Sequence, residues 1–175
     1  GNLPGLKRKS RDNWRVDRMQ SKRVGRPSLD EYFLRIAEVV SLRSTCLRHQ
    51  IGAIAVRNKH ILSTGYNGAP SSLEDCLELG CLREDLEIPS GERTEICRAI
   101  HAEQNVIIQA ALHGVSLENS IIYCTHSPCI LCTKVLINTG ISRYVYSLDY
   151  LDSSYQNLFQ KAGISYEKIT IKKEI

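Results

Sequence analysis

No uninterrupted apolar run in this chain approaches the roughly 20 residues that cross a bilayer. The opening Gly1-Asn2-Leu3-Pro4-Gly5 has no hydrophobic stretch of the kind that directs export. These two absences argue against membrane insertion and secretion, and the expectation is a soluble cytoplasmic protein with no membrane partner. No internal repeat is visible, which sets aside a repeat architecture. Methionine is nearly missing, with Met19 alone, but there are seven cysteines. In a secreted chain that number would suggest disulfides, whereas without an export signal metal binding is the better account. With 175 residues, 42% of them hydrophobic, the chain can bury one good core and suits one domain rather than two.

Acidic residues are scarce at one end. Residues 1–28 carry nine Lys and Arg against Asp12 and Asp17, a net +7, while the whole chain sums to +4 and the other 147 residues therefore to −3. Three explanations of this basic arm stand side by side: a contact to nucleic acid, a solvated tail, or, if Met19 is the natural start, a segment partly foreign to the natural protein. The arm is set apart from the fold, and residues 29–175 are taken as the functional domain. Nucleic acid is not the expected partner.

After Pro27, the residues Tyr32, Phe33, Ile36, Val39 and Val40 recur at three- and four-residue spacing, which predicts an amphipathic helix of about 14 residues ending near Arg43. The runs Ile51 to Val56 and Ile61 to Tyr66 flank Arg57-Asn58-Lys59-His60 and predict a hairpin. Asn67-Gly68-Ala69-Pro70 ends the second strand. Residues 71–96 are polar and contain Pro89-Ser90-Gly91, and so long a loop inside a domain needs a function or a local clamp. From His101 the pattern alternates: helix, strand (120–125), helix from Cys129, strand (143–147), helix (about 153–162), strand (164–171). Such alternation predicts an α/β fold, a three-layer α/β/α sandwich around a mixed sheet of about five strands.

His101-Ala102-Glu103, followed 25 residues later by Pro128-Cys129-Ile130-Leu131-Cys132, carries the chemistry. His101, Cys129 and Cys132 supply three zinc ligands, and a site with three protein ligands keeps its fourth position for water. Two thiolates cancel the charge of the ion, so the bound water is acidified less than by a site of neutral ligands, and a base must help. Glu103, two residues from His101, is placed to take that proton and hand it to a ring nitrogen and a departing amine. Pro128 suits a first helical position, which puts Cys129 and Cys132 on one face at a helix N-terminus, where the dipole favours thiolate. Taken alone, His-x-Glu is common and Cys-x-x-C suits a redox pair or half of a structural zinc site. Together and in this order they form the signature of zinc-dependent nucleobase deaminases.

Five cysteines remain. Cys124 alternates with Ile122 on a strand and reads as a small buried hydrophobe. Cys46, Cys76, Cys81 and Cys97 all lie outside strands, and one structural zinc held by these four explains how the polar loop stays ordered. Two alternatives stay open: Cys97, four residues from His101, as a further partner of the catalytic metal, or four simply buried thiols.

With these residues in hand, the chain resembles the deoxycytidylate (dCMP) deaminases of bacteria and phage over about residues 30–170. The resemblance is carried by Arg43-Ser44-Thr45-Cys46-Leu47-Arg48, Gly65-Tyr66-Asn67-Gly68-Ala69-Pro70, His101-Ala102-Glu103-Gln104-Asn105 and Tyr123-Cys124-Thr125-His126-Ser127-Pro128-Cys129. It implies the cytidine deaminase-like fold, a homo-oligomer with a hexamer favoured, and hydrolysis of dCMP to dUMP and ammonia, which supplies dUMP for dTMP synthesis. It also implies a second zinc near Cys46 and Cys76, contacts from Arg48 and Asn67 to the phosphate and sugar, and main-chain contacts from Ala102 and Ser127 to the pyrimidine edge. Tyr150 resembles a tyrosine that closes over the nucleotide. Regulated members respond to dCTP and dTTP, with Mg2+ accompanying these effectors, through an aromatic residue and an arginine on the helix after His-Ala-Glu. Here those positions hold Gln109 and Leu112. Two other functions compete: deamination of tRNA or another single strand, favoured only by the basic arm, and a non-catalytic zinc-binding regulator, which gives Glu103 no purpose.

Overall fold

In the computed structural model, which describes residues 25–150 and 153–171, helix α1 (Leu29–Ser41) begins where Ser28 caps it. The Ser28 hydroxyl accepts the Glu31 N–H at 3.1 Å, and Asp30 and Glu31 occupy the positive first turn. The helix stops at Ser41, two residues before Arg43. Its buried stripe runs through Phe33, Leu34, Ala37 and Ser41, whereas Tyr32 and Val39, expected on the apolar face, are exposed. The cause lies on the strand beneath. A Cβ at Gly52 would stand 2.2 Å from the Ala37 carbonyl oxygen, so helix and strand meet through their smallest residues. Nearly all of the basic arm lies outside the described residues.

Strands β1 (Gly52–Arg57) and β2 (His60–Tyr66) form the expected hairpin, turning through Asn58 and Lys59, both at positive φ. The loop that follows holds two four-residue helices, α2 (Cys76–Leu79) and α3 (Leu82–Asp85), and a 3₁₀ turn at Thr94–Ile96. Helix α4 (Ala102–Leu112) then leads to β3 (Ile121–His126), α5 (Ile130–Asn138), β4 (Arg143–Leu148), α6 (Tyr155–Ala162) and β5 (Ser165–Lys168). The last strand is shorter than the expected 164–171.

The sheet order is β2-β1-β3-β4-β5, with β1 antiparallel to both neighbours and β3, β4 and β5 parallel. Alternation sorts the two faces. Ile54, Val56, Tyr123 and Val145 pack with Phe33 and Leu34 of α1. Ala53, Ala55, Ile122, Cys124, Tyr144 and Tyr146 pack with Val106 of α4, Leu136 of α5, and Tyr155 and Phe159 of α6. The three-layer sandwich with a mixed five-stranded sheet is therefore borne out, as is Cys124 as a core residue. Asp30 of α1 ties the layers together by accepting hydrogen bonds from Arg143 at 2.9 and 3.0 Å and from the Tyr123 hydroxyl at 2.7 Å. Burial alone would raise the Asp30 carboxyl, but these donors outweigh it and hold it below its ordinary value. Among the described residues no helix is long and apolar enough to cross a membrane.

Candidate active site

Two helix starts meet at one end of the sheet. His101 is the cap residue of α4, in extended backbone, with its N–H donating to the Gln104 side chain at 2.9 Å. Cys129 caps α5 in the same conformation, and its Sγ accepts the Cys132 N–H at 3.4 Å. Pro128 therefore sits one residue before the cap and not at the first helical position. The capping role requires an extended backbone at Cys129, and the sulfur takes the place usually filled by a Ser or Asp oxygen.

These caps bring three ligand atoms together. The His101 Nδ1 lies 3.4 Å from both the Cys129 and the Cys132 Sγ. Zinc bonds of roughly 2.0 to 2.3 Å at tetrahedral angles would place nitrogen and sulfur about 3.5 Å apart, so the spacing fits that ion. The protonation of the pair points the same way. Hydrogen bonding from Cys132, with help from His101, holds the Cys129 thiol down to about 4, while the hydrogen bond with Cys129 and burial push Cys132 far up. Without a cation the pair accepts one negative charge and refuses the second, and a divalent ion removes that conflict. His101 is itself raised, first by its hydrogen bond to Cys129.

Glu103, second residue of α4, is 5% exposed. Burial raises its carboxyl above the ordinary value, and the Tyr144 hydroxyl, 3.3 Å from Oε1, pulls the other way. Glu103 and the His101–Cys129 pair border a cavity that Arg48, Asn67, Ser127 and Tyr150 also line. Ala102 lies in the core cluster and is fully buried.

Several of these expected contacts have other partners. Asn67 accepts from Ser44 Oγ at 2.6 Å and Ile51 N–H at 2.9 Å and donates to the His49 carbonyl at 2.7 Å, which leaves one amide N–H free. Ser127 gives its backbone N–H to Leu148 and accepts the Tyr150 N–H on its Oγ at 2.7 Å. Arg48 donates from Nη2 to the Ile88 carbonyl at 2.8 Å and approaches Glu84 at 3.6 Å, while its buried Nη1 has no partner.

Cys46, Cys76, Cys81 and Cys97 line this same cavity. Burial, followed by the charges of Cys46, Cys97 and Cys81, raises the Cys76 thiol, so the four are electrostatic neighbours. Among the described residues, though, only His101, Cys129 and Cys132 bring three ligand atoms within 4.8 Å of one another. Cys97 is not part of that trio. All seven cysteines are free thiols.

Three residues at the site carried no signal in the sequence. Tyr144 lies in an ordinary core alternation, yet its hydroxyl donates to the His126 carbonyl at 3.0 Å and reaches Glu103. His49 bonds Ser90 at 2.9 Å, and its imidazole is lowered by burial and then by Arg48 and Arg83. Arg83, in the polar loop, is buried against the cavity.

Residues 27–148 match the family described as the cytidine and deoxycytidylate deaminase zinc-binding region, and the chain belongs to that family. Its mixed sheet with helices is the cytidine deaminase-like fold. The chain is 36% identical over 140 residues to the deoxycytidylate deaminase of Schizosaccharomyces pombe, covering 79% of this chain and 43% of that one. It thus spans less than half the length of the fission-yeast relative. It is 38% identical over 151 residues to the ComE operon protein 2 of Bacillus subtilis, covering 86% and 76%. A crystal structure of the dCMP deaminase of cyanophage S-TIM5, in complex with dCMP and dUMP, superposes with a TM-score of 0.70 at 33% identity, over 83% of this chain and 100% of that one.

Proposed function

We propose that this chain hydrolyses dCMP to dUMP and ammonia, with a zinc ion held by His101, Cys129 and Cys132 and with Glu103 as general acid and base. The observation that carries this conclusion is an imidazole and two sulfurs at 3.4 Å beside a buried carboxylate, in a cavity that Arg48 also lines. Its strongest support among relatives is the cyanophage dCMP deaminase, whose structure contains dCMP and dUMP. Zinc held by the three ligands would supply an acidified water as nucleophile. Glu103 carries one proton of the attacking water to the ring nitrogen and the second, from the oxygen newly bonded to C4, to the 4-amino group. The C4–O bond forms first, and as it becomes the carbonyl the C4–N bond breaks and the protonated amine leaves as ammonia. Burial raises the Glu103 carboxyl, the direction that favours a group which must donate a proton as well as accept one.

The unpaired Nη1 of Arg48 offers a charged donor to the phosphate, and the remaining N–H of Asn67 a neutral one to the sugar. The Ser127 carbonyl and the Ala102 main chain take the pyrimidine edge, and Tyr150 covers the nucleotide. A structural zinc at Cys46, Cys76, Cys81 and Cys97 belongs to the same proposal and is supported by four thiols on one cavity. So does a homo-oligomer, supported by exposed Ile61, Tyr66, Ile108 and Leu112 along the groove between β2 and α4.

Ammonia release from dCMP, CMP, dCTP, deoxycytidine and a tRNA anticodon stem-loop tests the substrate. Preference for the 5′-monophosphate is expected, and turnover confined to the stem-loop would overturn the proposal. Glu103→Gln should lower kcat by about 10²- to 10⁴-fold while zinc content stays. Retained turnover would remove Glu103 from its role.

A further inference from the structure

Arg48, which is half-buried, is not the only cation on the cavity. Arg83, on α3, is 6% exposed. Its Nη2 donates to the Pro89 carbonyl at a stretched 3.4 Å and its Nε has no hydrogen-bond partner. Among the described residues no carboxylate lies within ion-pairing distance of it. Glu95 feels its charge, but Glu95 is exposed and spends its carboxylate on Arg93. Burying a guanidinium without a counter-charge is costly, and an unpaired buried donor in a native core asks for an explanation. Arg48 repeats the pattern with its orphan Nη1, and its one acidic neighbour, Glu84, is largely exposed.

The cavity that Arg83 lines identifies the side it serves. Arg83 lines the same cavity as Arg48, His49, His101, Glu103 and Tyr150. Arg98 makes the contrast. Its Nε is also without a partner, but Arg98 does not line that cavity. Two guanidinium forks, each with a buried N–H that has no partner, match a phosphate, which offers several acceptor oxygens and the missing negative charge.

We propose that Arg83 and Arg48 together seat the 5′-phosphate, and that Arg83 is a residue by which the cavity selects nucleoside 5′-monophosphates over nucleosides. This rests on the assignment of the site to a pyrimidine nucleotide. The polar loop then does more than brace the fold: it carries a specificity determinant into the site from a segment with no recognisable motif.

Calorimetric binding of dUMP and 2′-deoxyuridine to the zinc-loaded protein tests it. Arg83→Met should weaken dUMP by about 10- to 100-fold, with a far smaller effect on deoxyuridine. In kinetics with dCMP the loss should fall on KM more than on kcat. Arg83→Lys, which keeps the charge but not the fork, should recover part of the dUMP affinity, and it decides the matter if the methionine variant does not fold. Equal weakening of both ligands in these variants would make Arg83 a brace for the Pro89 turn and overturn the proposal. A wild-type protein that binds dUMP no tighter than deoxyuridine would instead sink the substrate assignment, and the role of Arg83 with it.

Discussion

Tyr144 brings a phenol into a core that has little use for one. It is fully buried, and its single proton is shared between the His126 carbonyl at 3.0 Å and Glu103 Oε1 at 3.3 Å. Burial, then the charges of Cys124 and Glu103, lift the phenol well above its ordinary value, so it remains a donor wherever the protein works. Its effect is to hold the Glu103 carboxylate in one orientation. Tyr144→Phe keeps the ring and its contact with Phe159 but releases that restraint. We expect kcat on dCMP to fall about tenfold with KM and zinc content unchanged, at a stability cost of about 1 kcal/mol. Steady-state kinetics with metal analysis check this, and an unchanged kcat would reject it. At this scale the sequence was uneven. His101, Cys129, Cys132 and Glu103 were legible because each lies in a short contiguous segment whose spacing is itself the chemistry. Tyr144 was not, since a tyrosine alternating along a buried strand looks like any other core residue. Asn67 was ambiguous, and most of its amide proves to be spent on the loop that shapes the cavity.

The elements that position the catalytic segments depend on close approach of backbones. A Cβ at Gly65 of β2 would meet the Ala102 carbonyl oxygen at 2.4 Å and the Val106 nitrogen at 2.5 Å, both in α4. Backbone atoms of a helix cannot swing aside as a flexible side chain would, so Gly65→Ala must push the first turn of α4 away from the sheet. That turn carries Glu103 and follows His101. The substitution should cost about 2 kcal/mol or more and lower both Tm and zinc occupancy. A variant with wild-type Tm and metal content would show that α4 is not fixed by this contact. The hairpin, the alternating helices and strands and the two-faced sheet followed from periodicity, because burial on both faces demands it. The helices α2 and α3 did not. Four residues are too few to show a period, and such helices stand only with outside support. The cap of α2 is one source, with Asp75 accepting from Leu77 N–H at 2.7 Å and Glu78 returning to Asp75 N–H at 3.1 Å.

On the scale of the whole molecule, the polar loop leaves the sheet and returns to the same place. Gly68 and Ile100 pair across its ends at 3.2 and 2.8 Å, and Arg48 and His49 hold its middle through Ile88 and Ser90. Within that closed excursion lie Cys76, Cys81, Cys97 and Arg83, with Cys46 supplied from before β1. Few apolar side chains in the loop are buried, so hydrophobic packing is a weak source of order there. The proposed second zinc would be the stronger one. Its four thiols are neighbours, but no three of their sulfurs lie within 4.8 Å of one another, and binding of the ion would itself pull them together. Purified protein should therefore hold two zinc ions per chain by elemental analysis. Cys76→Ser should hold one, unfold at a lower temperature and be cut by protease within residues 71–96, and its KM for dCMP should rise because the loop positions both Arg48 and Arg83. A single zinc in the wild-type protein, or a Cys76→Ser protein still holding two, would leave these four cysteines as buried thiols and shift the ordering of the loop to its hydrogen bonds alone.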